Sequence, residues 1–256
     1  MIKNLYCKIL DNIEIAPNIH KIEIERVAGF GAIKPGQFLH IKCSDAYLLR
    51  RPISISSVEK DKIGIVVRKA GEGTVLLCDR KKGETLDVLG PLGNGFTIDE
   101  GQRVIVIGGG IGTAPLLELV KNLKERQVTV LLGYKETPYL VEEFKEYAKD
   151  VEVATEDGSA GYKGYVTDLL KRKLKKDGAD IIYSCGPEIM LKKVQQIASE
   201  YKVKSQLSIE ERMACGVGAC LVCTCKVATD GGVKHVRTCK DGPVFSGDEV
   251  MFHEED

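Results

Sequence analysis

The 256-residue sequence predicts an antiparallel β-barrel or sandwich, then a parallel α/β domain, then a small cysteine-rich domain. Three observations support this order. Short alternating runs of polar and apolar residues, separated by glycine and proline, occupy residues 1–100. Strand-like and helix-like patterns alternate over residues 101–205. Four cysteines fall within eleven residues of the last segment, 206–256.

The first segment has the periodicity of short strands. Residues 21–25, 38–42 and 63–67 alternate apolar and polar side chains, which places every second side chain on one face. Repeated short strands with turn residues between them predict an antiparallel barrel or sandwich. The glycine-rich run at 90–95 closes this segment.

The second segment alternates between two patterns. Residues 103–107, 128–132 and 181–183 are apolar and rich in β-branched side chains, as in buried parallel strands. Amphipathic helical patterns follow the first and the last of these runs. The basic run 171–176 interrupts a helical apolar pattern and indicates a solvated helix face.

Composition excludes several classes of protein. Basic and acidic residues both number 37, and a neutral chain lacks the positive field that bulk nucleic-acid binding needs. Neither a signal-peptide pattern nor a run of ~18 apolar residues is visible, so we expect no membrane partner. We expect a cytoplasmic location, where thiols stay reduced. Cys7, Cys43 and Cys78 lie among apolar neighbours and indicate inert core positions.

The clustered cysteines have the spacing of an iron–sulfur site. Cys215-x4-Cys220-x2-Cys223 is the plant-type [2Fe–2S] pattern, and Cys239 can supply the fourth thiolate. Fifty residues are too few for an independent core, so this segment is expected to need a metal centre to fold. Structural zinc is the alternative, but zinc sites usually combine two Cys-x2-Cys pairs, and one is present.

Two further features of this loop concern its backbone and its extra thiol. Gly216 and Gly218 allow backbone N–H groups to turn toward the sulfur atoms. Cys225 could replace Cys223 as a ligand, although alternation along residues 222–225 favours Cys225 as a non-ligand.

A glycine-rich loop at 108–115 joins a buried strand to an amphipathic helix. Gly110 and Gly112 allow close approach to a pyrophosphate, and the helix N-terminus favours an anion. Thr113 can cap the helix, and Pro115 suits its first turn. The motif is not Gly-x-Gly-x-x-Gly, and no acid directly follows the next strand, so a plain tight turn is the alternative.

The segment Arg51-Pro52-Ile53-Ser54-Ile55-Ser56 is a candidate flavin site. Arginine can bind a phosphate, and serine can offer a hydroxyl to a ring nitrogen. The alternative is an edge strand that begins at proline and has an exposed arginine.

Motifs along the chain resemble those of the ferredoxin–NADP reductase superfamily, in which a flavin-binding Greek-key barrel precedes a nicotinamide-binding α/β domain. In order, they are Arg51-Pro52-x-Ser54, Gly71-Glu72-Gly73-Thr74, Gly110-x-Gly112-x-x-Pro115 and Cys185-Gly186-Pro187. With the cysteine motif added, essentially the whole chain resembles the electron-transfer subunits of NAD-dependent, class 1B dihydroorotate dehydrogenases.

The resemblance implies a role for each matching residue. Those that would line the flavin are Arg51, Pro52, Ile53 and Ser54, with Ser54 near the reactive N5 edge, followed by Arg68, Lys69 and Ala70. Gly73 and Thr74 would hold the FAD pyrophosphate. Gly110, Gly112 and Thr113 would bind the nicotinamide nucleotide, beside the loop 156–159. Cys185 would lie near the nicotinamide ring, although a buried thiol at a strand end is the alternative.

The number of electrons that each cofactor exchanges also predicts a flavin. Nicotinamide exchanges two electrons as hydride and a [2Fe–2S] cluster exchanges one, so a flavin between them is required. Lys135 and Glu136 follow the second α/β strand, where a 2′-phosphate site would prefer an arginine. We therefore expect NAD(H) as the substrate in preference to NADP(H).

No substrate-side catalytic constellation is visible, so the chain is expected to pass electrons to or from another protein. The family resemblance implies an FMN-containing dihydroorotate dehydrogenase subunit, in a heterotetramer of two of each, with electrons running from FMN through the cluster and FAD to NAD. The loop from Cys215 to Cys223 is expected at the contact, and Glu210, Glu211 and Arg212 are candidates for its polar rim.

Three other functions compete. Small subunits of NADH-dependent ferredoxin:NADP oxidoreductases and of sulfide dehydrogenases are similar, but commonly have aspartate where Cys215 stands. A dioxygenase reductase would need a longer C-terminal ferredoxin domain. A non-enzymic redox sensor would use the cluster without a flavin.

Overall fold

The N-terminal part of the computed structural model, which describes residues 4–252, is a closed barrel of six antiparallel strands. The strands are β1 (Asn4–Ala16), β2 (Ile19–Glu25), β3 (Phe38–Lys42), β4 (Arg51–Val58), β5 (Lys62–Arg68) and β6 (Thr85–Leu92), and helix α1 (Glu72–Cys78) precedes β6. Their order around the barrel is β1-β2-β5-β4-β3-β6, which is a Greek-key connectivity because β2 neighbours β5 and β3 neighbours β6. The predicted alternation is confirmed, since Ile22, Ile24, Leu39 and Ile41 fill the barrel interior.

The middle of the chain forms a parallel sheet. Its strands are β7 (Arg103–Gly109), β8 (Gln127–Tyr134), β9 (Asp150–Thr155), β10 (Tyr162–Lys163), β11 (Ile181–Cys185) and β12 (Lys204–Ser208), and its helices are α2 (Ala114–Asn122), α3 (Val141–Lys145), α4 (Val166–Asp177) and α5 (Glu188–Glu200). The spatial order is β10-β9-β8-β7-β11-β12, and all neighbouring pairs are parallel. Helices cover both faces with separate apolar clusters, as predicted for this pattern.

The C-terminal segment is built around a small sheet. Its strands are β13 (Thr224–Thr229), β14 (Gly232–Arg237), β15 (Val244–Ser246) and β16 (Val250–Met251). Three of them form the sheet β14-β13-β16, whereas β15 pairs antiparallel with β12 and extends the large sheet to seven strands. The segment is therefore hydrogen-bonded to the α/β domain.

The barrel and the α/β domain meet where β4 packs against α2. The Val58 N–H donates to Glu118 Oε2 over 2.8 Å, and Lys121 Nζ donates to the Val58 carbonyl over 2.9 Å. Glu118 is buried, and Asn122 Nδ2 donates to its other oxygen over 2.9 Å. Two side chains of α2 thus satisfy both backbone groups at the end of one barrel strand.

The helices of residues 4–252 are all too short or too polar to cross a membrane.

Glu118→Ala should lower the free energy of unfolding by about 1–3 kcal/mol, because it leaves the Val58 N–H without its acceptor. Glu118→Gln keeps a carbonyl oxygen and should cost less. Urea unfolding measures both, with Glu125→Ala, a change at an exposed glutamate, as the control. Equal stability of the Glu118→Ala and Glu125→Ala chains would contradict this prediction.

Candidate flavin, nicotinamide and iron–sulfur sites

The predicted flavin strand β4 has two faces. Ile55 is buried and Ile53 packs against the barrel interior, whereas Pro52 and Ser54 lie on the opposite face. On the adjacent strand β3, Phe38 pairs with Ser54 and His40 pairs with Pro52. Because paired residues of antiparallel strands share a face, Phe38 and His40 stand beside Ser54 and Pro52 outside the barrel.

The fold brings together the two predicted phosphate-binding elements. An ideal Cβ on Gly73 would lie 2.7 Å from Arg51 Nε, so a larger residue there would displace the guanidinium from its present position. The Arg51 guanidinium lies over the Tyr47 ring, 5.9 Å from its centroid. The Tyr47 hydroxyl in turn donates to Glu72 Oε2 over 2.5 Å.

Thr74 organises the loop between β5 and α1. Its Oγ1 accepts the N–H groups of Ala70 and Gly71 over 2.9 and 3.1 Å and donates to the Gly71 carbonyl over 2.8 Å. Arg68 ends β5 and is exposed, and Lys69 forms an ion pair with Asp79 at 3.0 Å. Thr74 therefore links Ala70 to the start of α1, where Gly73 contacts Arg51.

The two predicted nicotinamide loops touch each other at the carboxyl edge of the parallel sheet. An ideal Cβ on Gly112 would lie 2.5 Å from the Gly186 Cα and 2.6 Å from its nitrogen. Gly110 has φ +53°, a conformation that glycine adopts readily. Pro115 lies in the first turn of α2, as predicted.

Thr113 differs from the expectation that it caps the helix. It stands at the N-cap position of α2 without a side-chain capping bond, and its Oγ1 donates to the Gly110 carbonyl over 2.9 Å. Because Thr113 is fully buried, its hydroxyl stabilises the glycine loop from within the protein.

Cys185 is the last residue of β11, between Gly108 of β7 and Ser208 of β12. It is half-buried, and burial raises the pKa of its thiol to about 12. The thiol is therefore neutral at pH 7, which suits a contact with an uncharged ring better than nucleophilic chemistry.

The loops after β8 and β9 lie side by side at the same sheet edge. The Ser159 hydroxyl donates to the Glu136 carbonyl over 2.9 Å, and the Asp157 N–H donates to the Lys135 carbonyl over 3.4 Å. The side chains predicted to select the nucleotide therefore lie at the same edge as the glycine loop.

The Cys215 thiol is surrounded by backbone donors. The N–H groups of Val217, Ala219 and Cys220 point at its Sγ over 3.3–3.4 Å, through a loop in which Gly216 and Gly218 have φ +70° and +81°. Burial raises the pKa of Cys215, but the Val217 and Cys220 N–H groups outweigh it and lower the pKa to about 6. The loop thus favours a thiolate, which is the form that binds iron.

The four predicted ligands form two neighbouring pairs. Cys220 contacts Cys215, and the Cys239 N–H donates to Cys223 Sγ over 3.4 Å. Across residues 4–252, no three His, Cys, Asp or Glu side chains are close enough to hold a single metal ion. Two thiol pairs fit a centre with two iron ions, because each iron of a [2Fe–2S] cluster takes two protein ligands.

The cluster segment packs directly on the barrel. Cys223 and Cys239 form a buried apolar cluster with Phe38 of β3 and Leu92 of β6. The Asn94 side chain, just after β6, donates to the carbonyls of Lys240 and Asp241, each over 3.1 Å. One barrel strand, β3, therefore lies between the predicted flavin strand and the cysteines.

His40 is a buried residue of this region that belongs to none of the sequence motifs. Its ring packs against the cysteine loop, because an ideal Cβ on Gly216 would lie 2.6 Å from His40 Nδ1. Burial and the nearby Arg50 lower the pKa of His40 to about 4. The alternation along β3 was the sequence signal that could have identified His40, because it places His40 on the face of the strand that points away from the barrel interior.

Cys225 lies in a different apolar cluster from Cys223 and Cys239, together with Val227 and Val236. The Thr238 hydroxyl donates to its sulfur over 3.4 Å. Cys225 also lines a cavity of ≈ 240 Å³ beside Gly186 and Pro187.

Family models match two parts of the chain. The model for the iron–sulfur cluster binding domain of dihydroorotate dehydrogenase B matches residues 210–251, and the oxidoreductase NAD-binding domain matches residues 106–196. Proteins described as the electron transfer subunit of dihydroorotate dehydrogenase B (NAD(+)) match almost end to end. The protein from Caldanaerobacter subterraneus is 44% identical over 96% of this chain and 97% of its own length, and that from Bacillus velezensis is 42% identical over 98% and 100%.

The chain belongs to this family of electron transfer subunits. The predicted family resemblance is confirmed, and with it the prediction of an NAD-linked oxidoreductase subunit.

Solved structures confirm the predicted fold. The NADH-dependent reduced ferredoxin-NADP oxidoreductase, described in a study of flavin-based electron bifurcation, matches with a TM-score of 0.86 and 35% identity over 96% of this chain and 89% of that chain. Phthalate dioxygenase reductase shares the fold, with a TM-score of 0.66 and 18% identity over 93% of this chain and 77% of that chain.

Gly112→Ala should slow flavin reduction by NADH about 100-fold, because a methyl group would push apart the two loops that meet at Gly186. Flavin content should not change. Stopped-flow absorbance measures the rate, with Gly231→Ala in the open turn between β13 and β14 as the matched control. A Gly112→Ala rate equal to that of the control would refute the assigned contact.

Proposed function

We propose that this subunit carries electrons from a dihydroorotate-oxidising partner through a [2Fe–2S] cluster and FAD to NAD⁺, in pyrimidine biosynthesis. The observation that carries the proposal is the position of β3. Phe38 pairs with Ser54 of the flavin strand and packs against Cys223 and Cys239. This contact supports the proposal, because it would put the one-electron and two-electron sites side by side, as rapid electron transfer requires.

Each proposed cofactor has its own segment of the chain. Residues 1–100 form the FAD domain, residues 101–205 the NAD domain and residues 206–256 the [2Fe–2S] domain. Flavin supplies both one-electron and two-electron transfer, which is the chemistry needed between the cluster and nicotinamide.

Each of these barrel residues has its own role in the proposed FAD site. Arg51 supplies a positive charge for the FAD phosphates, and Gly73 keeps the space beside its guanidinium open. Thr74 holds the backbone of Ala70 and Gly71 in the conformation that would receive the pyrophosphate. Pro52 and Ser54 present the outer face of β4 to the flavin ring, with the Ser54 hydroxyl toward N5.

The α/β residues bind and orient the nucleotide. Gly110 leaves open space just before α2, where the helix dipole favours a pyrophosphate, and the buried Gly112 lets the loop at Gly186 approach closely. Cys185 places a neutral thiol at the end of β11, beside the nicotinamide position. An arginine can form two hydrogen bonds to a 2′-phosphate, whereas Lys135 and Glu136 cannot bind it in this way. The absence of an arginine at these two positions supports NAD(H) as the nucleotide.

The proposed cluster ligands are Cys215, Cys220, Cys223 and Cys239. The thiol pairs described above would each serve one iron, and Cys225 would take no part. The N–H groups directed at Cys215 stabilise its thiolate and would stabilise the added charge of a reduced cluster.

The proposed partner is an FMN-containing dihydroorotate dehydrogenase subunit, in an assembly with two copies of each. Cys220 is exposed, and the apolar residues after it, Leu221 and Val222, are 64% and 52% exposed. Exposed apolar side chains beside a ligand suit the centre of an electron-transfer interface. Glu210 and Arg212 lie in the segment just before the cysteine loop and are proposed as part of the polar rim.

A second candidate function is an electron-input subunit like that of the NADH-dependent reduced ferredoxin-NADP oxidoreductase. The observation that favours it is the TM-score of 0.86 with that structure. Cys215 favours the dihydroorotate assignment, because those relatives commonly have aspartate at this position.

The purified subunit should contain about two iron and two acid-labile sulfide per chain, which is the composition of one [2Fe–2S] cluster. Serine at position 215, 220, 223 or 239 should bleach or destabilise the cluster. Cys225→Ser is the matched control and should keep it. Stoichiometric zinc without sulfide would contradict the assignment.

Reconstitution tests the function. Alone, the subunit should reduce artificial acceptors with NADH and leave dihydroorotate unoxidised. Addition of the FMN-containing subunit should create dihydroorotate:NAD activity, and Val222→Asp should weaken that coupling at least about tenfold by placing a charge in the apolar contact.

Val233→Asp, at an exposed valine on β14, is the control for this surface change. Dihydroorotate oxidation by the isolated subunit would contradict the proposal that the partner subunit oxidises the substrate and this subunit only transfers electrons. Absence of activity with the FMN subunit would favour the ferredoxin-linked function.

A further inference from the structure

His40 is a buried polar side chain whose hydrogen-bonding capacity is unused. It is 1% exposed, and within the described residues neither Nδ1 nor Nε2 has a hydrogen-bond partner. Burial of a polar group without a partner is costly, so a buried ring of this kind indicates an additional partner or a functional constraint.

The surroundings of the ring indicate where that partner would lie. On one side, His40 pairs with Pro52 of the flavin strand. On the other side, its Nδ1 lies against Gly216, where an added Cβ would be 2.6 Å away. Gly216 follows Cys215 and has φ +70°, so this close contact is built into the turn that presents the thiol.

The chemistry of the ring supports an N–H donor here. An imidazole carries at least one N–H in either neutral tautomer and in the protonated form. Neither ring nitrogen has a hydrogen-bond partner among the described residues, so this N–H is available beside the Cys215 loop.

We propose that His40 is a positioning residue for electron transfer, which holds the Cys215 loop against the flavin strand and directs its ring N–H to the sulfur atoms at the Cys215 end of the cluster. This inference rests on the proposed function. It assigns His40 a role in setting both the position and the reduction potential of the cluster.

The direction of the effect follows from charge. Reduction adds an electron to the cluster, and a nearby N–H stabilises the extra negative charge on its sulfur atoms. The effect is strong in a buried site, where water does not screen it. Loss of this N–H should therefore make the cluster harder to reduce, and loss of the ring should loosen the Cys215 loop.

The test uses the full-length subunit with its cofactors, in three variants. His40→Leu keeps bulk and removes the N–H, whereas His40→Gln restores a donor. His235→Leu, at an exposed histidine of β14, is the control. The readouts are FAD content, the electron paramagnetic resonance spectrum of the reduced cluster, and its midpoint potential by redox titration.

In His40→Leu, the ratio of reduced to oxidised cluster at a given potential should fall about tenfold, which is about 59 mV for a one-electron couple. The resonance spectrum should also change, while FAD content should not. His40→Gln should recover most of the potential, and His235→Leu should match the wild type. Loading of the cluster in His40→Gln but not in His40→Leu would also support the proposal.

A fully loaded His40→Leu subunit with the wild-type potential and spectrum would overturn this inference and leave the proposed function intact. Equal loss of the cluster in both His40 variants would reduce His40 to a packing role, and so would also overturn it. A wild-type subunit that holds neither flavin nor cluster would overturn the proposed function, and the inference with it.

Discussion

The arrangement of the proposed sites depends on the contact between Val58 at the end of β4 and two α2 side chains, the buried Glu118 and the partly exposed Lys121. These side chains satisfy the N–H and the carbonyl of Val58. Strand β4 carries the proposed flavin segment, and α2 begins directly after the proposed nicotinamide glycine loop. One set of hydrogen bonds, which includes the buried carboxylate of Glu118, therefore joins the elements that carry the two proposed sites.

The cluster segment depends on the same frame because it lacks a large core of its own. Cys223 and Cys239 pack on Phe38 and Leu92 of the barrel, and β15 completes the edge of the α/β sheet. Both larger domains therefore hold the loop that presents the thiols. This shared support explains how a segment of about fifty residues can keep its cysteines close to the proposed flavin strand.

The nine cysteines divide by environment. Burial raises the pKa of Cys7 to about 12 and that of Cys78 to about 11, as expected of thiols in an apolar barrel. Cys215 is the opposite case, because backbone N–H groups lower its pKa to about 6. Cysteine thus packs as a neutral thiol in the barrel, whereas in the C-terminal segment Cys215 favours the thiolate. The backbone N–H groups directed at the sulfur atom cause this difference.

The sequence by itself determined the order of the three structural units, the strand and helix patterns, the cysteine motif and the glycine loops. These features are local, since alternation, helical period and ligand spacing depend on residues close together in the chain. Only the tertiary structure decided that Gly112 meets Gly186, that β15 joins the large sheet, and that His40 lies between β4 and the cysteine loop. Each of these contacts joins residues far apart in sequence. Their geometry depends on how the strands of the barrel and the sheet pack together, which no local pattern encodes.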